Sequence, residues 1–255
     1  MERNMRERRK CAHDYGRWRA SAGAASLGGE RGWVRSASLA VLAACMIAPA
    51  ALTPLFAQAQ VVCASEGGAA GATATKAGAV ACGTDAAATG ANSTATGPNA
   101  QASGDSSTAV GQNSAAGGVQ SSALGFTDTA SGDRSQALGG RDVASALFSS
   151  AVGWANTASG VDAFAGGNKS IASGASSVAL GDVAQATGDS STAVGLDTTA
   201  SGIQSTALGF TNTASGDRSQ ALGGRDIASA AFSSAVGWAN TASGVDSFAG
   251  GNKSV

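Results

Sequence analysis

The sequence predicts an all-β chain, a solenoid of 14-residue coils behind a disordered or helical signal segment, and three observations carry that prediction. From Ala102 the residues fall into eleven 14-residue units with no insertion, ending in phase at Val255. The composition lacks the material for a thick core: 37 Gly and 5 % aromatic residues, with Ala, Ser and Thr filling most of the rest. Such a bias fits a repeat architecture with a thin interior. Within each unit, positions six to ten alternate between tiny and bulky side chains, as a strand does and a helix does not.

The first segment, residues 1–59, reads as an address for export. A basic stretch from Arg3 to Arg35 precedes the apolar run Ser38 to Ala48, and Ala57-Gln58-Ala59 supplies small residues suited to signal peptidase. Cleavage is expected before Gln60. The alternative is a retained anchor, but Pro49 and Pro54 interrupt the apolar stretch, and a span needs about 20 apolar residues. Leu42-Ala43-Ala44-Cys45 also resembles a lipoprotein box, although the apolar segment before Cys45 is short and continues beyond it. Residues 60–73 form the N-terminal segment of the mature chain. Of four cysteines, Cys11 and Cys45 leave with the signal, and Cys63 and Cys82 remain. In an exported protein that pair is expected to form a disulfide rather than a metal site.

The rod itself is expected over residues 74–255, about thirteen coils. Ala74 to Ala87 is a degenerate unit and Ala88 to Gln101 a looser one. Residues 186–255 nearly duplicate 102–171, an offset of 84 residues or six units, as in ASGDRSQALGGRD at Ala130 and again at Ala214. The first and eighth positions of the eleven units are always Ala and the tenth always Gly. The sixth is Ser except at Ala163, and the third is Gly except at Ala146 and Ala230. Fourteen residues suffice for two short strands and two tight turns. Two strands facing each other across so flat a coil leave room only for Ala, Ser and Gly; Ser135, Ala137 and Gly139 are the expected interior of one coil. Stacked at about 4.8 Å per coil, thirteen coils make a rod roughly 60 Å long.

An Ala/Ser interior contributes little, at about 25 cal/mol per Å² buried, against a cost on the order of 1–2 kcal/mol to order each residue. Position nine carries the bulk: Val110, Leu124, Leu138, Val152, Leu180, Val194, Leu208, Leu222 and Val236. On a lone rod these residues would form a continuous apolar stripe, and such stripes mark association. Several copies packed ladder to ladder around one axis would cover it.

These units resemble the head repeats of trimeric autotransporter adhesins, the YadA-like group, whose repeats centre on an S-x-A-x-G strand. SSALG (Ser121–Gly125), SQALG (Ser135–Gly139), SSAVG (Ser149–Gly153) and SVALG (Ser177–Gly181) fit that pattern. The resemblance covers 74–255 and implies a left-handed parallel β-roll. It also implies a homotrimer on a Gram-negative outer membrane and binding to host extracellular matrix or cell-surface molecules. The long basic signal also looks like those of this group. Family members continue into a neck, a coiled-coil stalk and a β-barrel anchor, whereas this sequence ends at GNKSV. It is therefore read as a head-only or truncated chain without its membrane anchor, bound to the surface or secreted.

Other function classes find little in the residues. Residues 60–255 carry a net charge of −6, which disfavours nucleic acid as a partner. The sole histidine, His13, lies in the signal, so no catalytic residue, metal site or cofactor is expected in the mature chain. Asp105, Asp133, Asp189 and Asp217 at position four, and Asp128, Asp142 and Asp226 at thirteen, read as turn residues bonding local backbone. An ice- or surface-binding solenoid would need an unbroken Thr ladder; Arg141, Ala155 and Lys169 follow Thr127 in its column. A structural surface-layer repeat is a further alternative. Aromatic residues occupy variable positions: Phe126, Trp154, Phe210 and Trp238 at eleven, Phe148 and Phe232 at five, Phe164 and Phe248 at seven. They are candidates to contact a ligand or to fill gaps between subunits. The expected ligand contacts are Trp154, Trp238, Arg141 and Arg225, whose pairs repeat 84 residues apart.

Overall fold

The computed structural model describes residues 60–63 and 71–255; the expected signal at 1–59 lies outside the described residues. The described chain is built of strands and turns, arranged as a parallel β-solenoid of about thirteen coils. From Ser122 onward each coil contributes a five-residue strand over positions seven to eleven, such as Gln136–Gly140, where the earlier coils have three residues, as in Thr108–Val110; a two-residue strand covers positions fourteen and one, such as Val143–Ala144. The long strands stack into a 14-stranded sheet and the short ones into a 13-stranded sheet, each strand pairing only with those one coil away. Every pairing is parallel and offset by 14 residues, except the first. Repeat position therefore equals structural column.

The long sheet begins earlier than the repeat pattern does. Val61–Cys63 pairs with Val80–Cys82 across an offset of 19 residues, so the segment expected to precede the rod supplies its first long strand. Cys63 and Cys82 are register partners, Cα atoms 4.6 Å apart, with their sulfurs bonded.

Two alanine columns form the core. The position-one and position-eight alanines, from Ala88 and Ala81 to Ala242 and Ala249, are all buried. A methyl group is the only apolar side chain that fits between two sheets so close together. The position-six serines from Ser93 to Ser233, apart from Ala163, are buried beside them. Gly139 differs from the interior position expected of it. It is exposed, at φ 138°, and a Cβ there would collide with the carbonyl oxygen of Gly153 in the next coil. The tenth position needs Gly because the backbone of the coil above comes too close and the torsion excludes a side chain, not because it points inward.

Both turns of every coil are tight for the same reason. Positions five and twelve adopt left-handed backbone throughout, at φ 53° to 60° from Asp85 to Lys253. Their N–H groups bond across to the previous coil: Thr127 N–H to the Gln112 carbonyl at 2.9 Å, Arg134 N–H to Val119 at 2.8 Å. Asn occupies these positions at 92, 99 and 113, where its tolerance of this conformation is useful. Further along, Arg, Phe, Lys and even Val183 are held in it by the stacking on either side.

Candidate interaction surface

Two columns of polar side chains stitch the coils together and fix the outer face. Asp105, Asp133, Asp189 and Asp217 sit exposed at position four. Each accepts the backbone N–H of position four in the coil before: Ala91 (2.9 Å), Val119 (2.8 Å), Ala175 (2.9 Å) and Ile203 (3.0 Å). They bond backbone, as the sequence suggested, but one coil away rather than within their own turn. The Ala91 N–H, together with Lys76 at 3.3 Å, holds the Asp105 carboxyl below the usual carboxylate range.

The position-thirteen acids depart further from expectation. Asp128, Asp142 and Asp226 are fully buried, in one column with Asn156, Thr198, Asn212 and Asn240. Asp128 accepts the N–H of Asp142 and of Gly139, both at 2.9 Å. Asp142 accepts the backbone and side-chain N–H of Asn156, at 2.8 and 2.9 Å. Asn156 in turn accepts from Ser170 N–H at 2.9 Å and donates to the Gly167 carbonyl at 2.9 Å. The duplicate half repeats this ladder through Asn212, Asp226 and Asn240. Burial pushes the Asp128 carboxyl above its ordinary range, against the two N–H bonds that favour its charge; the neighbouring Asp142 carboxylate adds to the rise. These carboxylates are buried and bond the backbone of the neighbouring coils. Among the described residues, no group of three His, Cys, Asp or Glu could hold a metal ion.

The outer face of the long sheet carries positions seven, nine and eleven. The position-nine residues line up in register: Val110, Leu124, Leu138, Val152, then Gly166, Leu180, Val194, Leu208, Leu222 and Val236. They lie outside the alanine core, half-buried to exposed, with Leu180 44 % accessible. The apolar surface continues across the position-nine glycines, Gly166 and Gly250. The ring of Phe164, from position seven of the same coil, covers Gly166, where a Cβ would meet it at 2.8 Å. Phe248 covers Gly250 likewise. The signal was present in the sequence, since Phe stands at seven only where Gly stands at nine.

The structure brings the four expected contact residues together in pairs. The Arg141 guanidinium lies 5.5 Å from the Trp154 ring centroid and that of Arg225 5.7 Å from Trp238. Each ring lies on a glycine of the preceding coil: a Cβ on Gly140 would meet Trp154 at 2.6 Å, and one on Gly224 would meet Trp238 at 2.5 Å. Glycine at position eleven of one coil thus makes room for tryptophan at eleven of the next. Both Trp side chains remain 46 % accessible. A second pair of stacks, on the opposite edge of the coil, was not anticipated: Arg134 on Phe148 and Arg218 on Phe232, each at 5.3 Å. Beside the first lies a shallow depression of about 250 Å³ lined by Val119, Gln120, Asp133, Arg134 and Leu147. Sequence reasoning noted Phe148 and Phe232 but not the apolar position-four residues Val119, Leu147, Val161, Ile203 and Val245, all exposed. A tight turn usually carries polar residues there, so these apolar side chains stand exposed against the ordinary turn pattern.

A parallel β-solenoid with an alanine interior, an outward apolar ladder and aromatic edges defines a class of repetitive β-roll proteins. The YadA head domain repeat model matches residues 74–100, 88–114, 102–127, 172–198, 200–225 and 228–254, more than half of the chain. The chain belongs to that family, the head repeats of YadA-like adhesins. The unmatched residues between these segments continue the same two sheets without a break in register. No curated protein matches the chain.

Proposed function

We propose that this chain is the head of a homotrimeric bacterial adhesin, exported by its N-terminal signal and attaching the cell to host extracellular matrix or cell-surface molecules. The observation that carries the reading is the apolar ladder on the outer face of the long sheet. A lone chain leaves it in water from Val110 to Val236, and three chains with their ladders turned to a common axis would bury it. Specific contact then falls to side chains that differ from coil to coil, because the alanine columns and the position-ten glycines do not vary. The Arg141–Trp154 and Arg225–Trp238 clusters offer the most charge and contact area. They recur six coils apart, roughly 29 Å along the rod. Two such clusters on each of three chains suit a repetitive target such as a matrix fibre, where linked weak contacts add up.

The test is binding of the exported chain to immobilised matrix proteins and cells, with Arg141→Ala and Arg225→Ala beside wild type and light scattering to check mass. Saturable binding, weakened at least tenfold by the double substitution in a protein of unchanged mass, supports the reading. A stable monomer at micromolar concentration removes the trimer; a trimer that binds no matrix protein or cell leaves a structural surface-layer role instead.

A further inference from the structure

Each long strand ends on two different edges, position eleven at one side and positions four and five at the other. The long strand over positions seven to eleven, roughly 13 Å from end to end, separates the two turns, so side chains on the two edges of one coil lie apart. Their chemistry is nevertheless matched in most coils. Trp154 shares its coil with Leu147 and Phe148, Trp238 with Phe232, Phe126 with Val119, and Phe210 with Ile203. All are exposed, Phe148 and Leu147 each by 42 %. Coils with Gln112, Gly140, Asp182 or Gly224 at eleven carry Asp105, Asp133, Ala175 or Asp217 at four. Leu196, paired with Asp189, and the Val161 and Val245 coils, with Asn at eleven, fall outside the match. Contacts within one chain give no reason for this pairing across the coil.

A threefold axis parallel to the rod gives one. Rotation about such an axis keeps every coil at its own height, and it makes the contact between neighbours head to tail rather than like to like. Where two long sheets meet at a corner, the position-eleven edge of one chain faces the position-four and -five edge of the next, in the same coil. Resting on the trimer reading above, we propose that Trp154 of one chain packs against Leu147 and Phe148 of the next, and Trp238 against Phe232, with Phe126–Val119 and Phe210–Ile203 completing the seam. The position-nine ladder fills the axis and these edges close the corners. The tryptophan rings are then shared between subunits, while Arg141 and Arg225, stacked on them from the coil below, stay at the rim for a ligand.

Paired cysteines test the arrangement. The exported chain carrying Phe148→Cys and Trp154→Cys, treated with a short thiol-reactive cross-linker, should run as covalent dimer and trimer on a denaturing gel, with most of the protein converted. Phe232→Cys with Trp154→Cys, six coils out of register, should stay monomeric on the same gel. Val119→Cys with Phe126→Cys repeats the in-register test at a second coil and covers a folding defect at the first. Light scattering of the parent chain separates the two ideas. A trimer in which neither in-register pair cross-links between chains overturns the seam and leaves the trimer standing; a monomeric parent overturns both.

Discussion

Replacing Gly139 with Ala adds a single methyl group at an exposed position, where a surface substitution ordinarily changes stability by no more than about 0.5 kcal/mol. Here two costs arise. The backbone sits at φ 138°, a region open essentially to glycine alone, and forcing a side chain into it costs on the order of 1–3 kcal/mol. The new Cβ also overlaps the Gly153 carbonyl oxygen of the coil above and lies 2.8 Å from Asp142 Oδ2. Both neighbours are fixed, the first by the sheet and the second by its bonds to Asn156, so the coils must part locally, at about 1–3 kcal/mol for overpacking. The sum is about 2–6 kcal/mol, which lowers the thermal midpoint by roughly 4–24 °C at about 2–4 °C per kcal/mol. Thermal unfolding followed by circular dichroism measures it, with Ser150→Ala on the same sheet, expected within about 0.5 kcal/mol of wild type, as the control. A midpoint for Gly139→Ala equal to that of Ser150→Ala would refute the account of the tenth position as a stacking constraint.

Three further outcomes are expected. Asp128→Asn should stabilise the chain at neutral pH by on the order of 1 kcal/mol, since Asn212 already fills the same site in the duplicate half and donates to the Leu208 and Gly223 carbonyls. The folded Asp128 carboxyl titrates above its unfolded value, so folding takes up a proton there and its penalty grows as pH rises through the unfolded and then the folded pKa; denaturant melts of wild type and variant should converge below that window and diverge above it. Val183→Asn should raise stability by about 1 kcal/mol, because a β-branched residue is held at φ 58°, where left-handed backbone costs it roughly 1–2 kcal/mol; a loss would show that the Val183 side chain contributes packing that outweighs its strain. Protein from an oxidising compartment should contain no free thiol at Cys63 or Cys82, and Cys63→Ser should destabilise the N-terminal coils by up to about 3 kcal/mol, read by proteolysis of that end.

Much of this molecule is written in one dimension. With every coil the same length, the offset of 14 residues is at once the repeat and the hydrogen-bonding register, so the columns of Ala, Ser, Gly and Val or Leu could be named from Ala102 onward. Side-chain size did the rest. The alanine columns at positions one and eight fit the flat interior, and a column of Val and Leu has no room inside. Tertiary structure decided what depends on contact with the next coil. Whether an aspartate at position thirteen is an exposed turn residue or a fully buried rung depends on which backbone N–H groups stand above it, and those lie 11 and 14 residues away. Left-handed backbone at Arg141, Phe148 and Val183 goes against the preference of each residue, and stacking on both sides imposes it. The glycine at position ten looked like interior because it is small, yet it is demanded by a carbonyl in the neighbouring coil. Side-chain volume is a property of one residue and can be read from the chain; burial, torsion and hydrogen-bond partners are properties of a pair of coils and exist only once they stack.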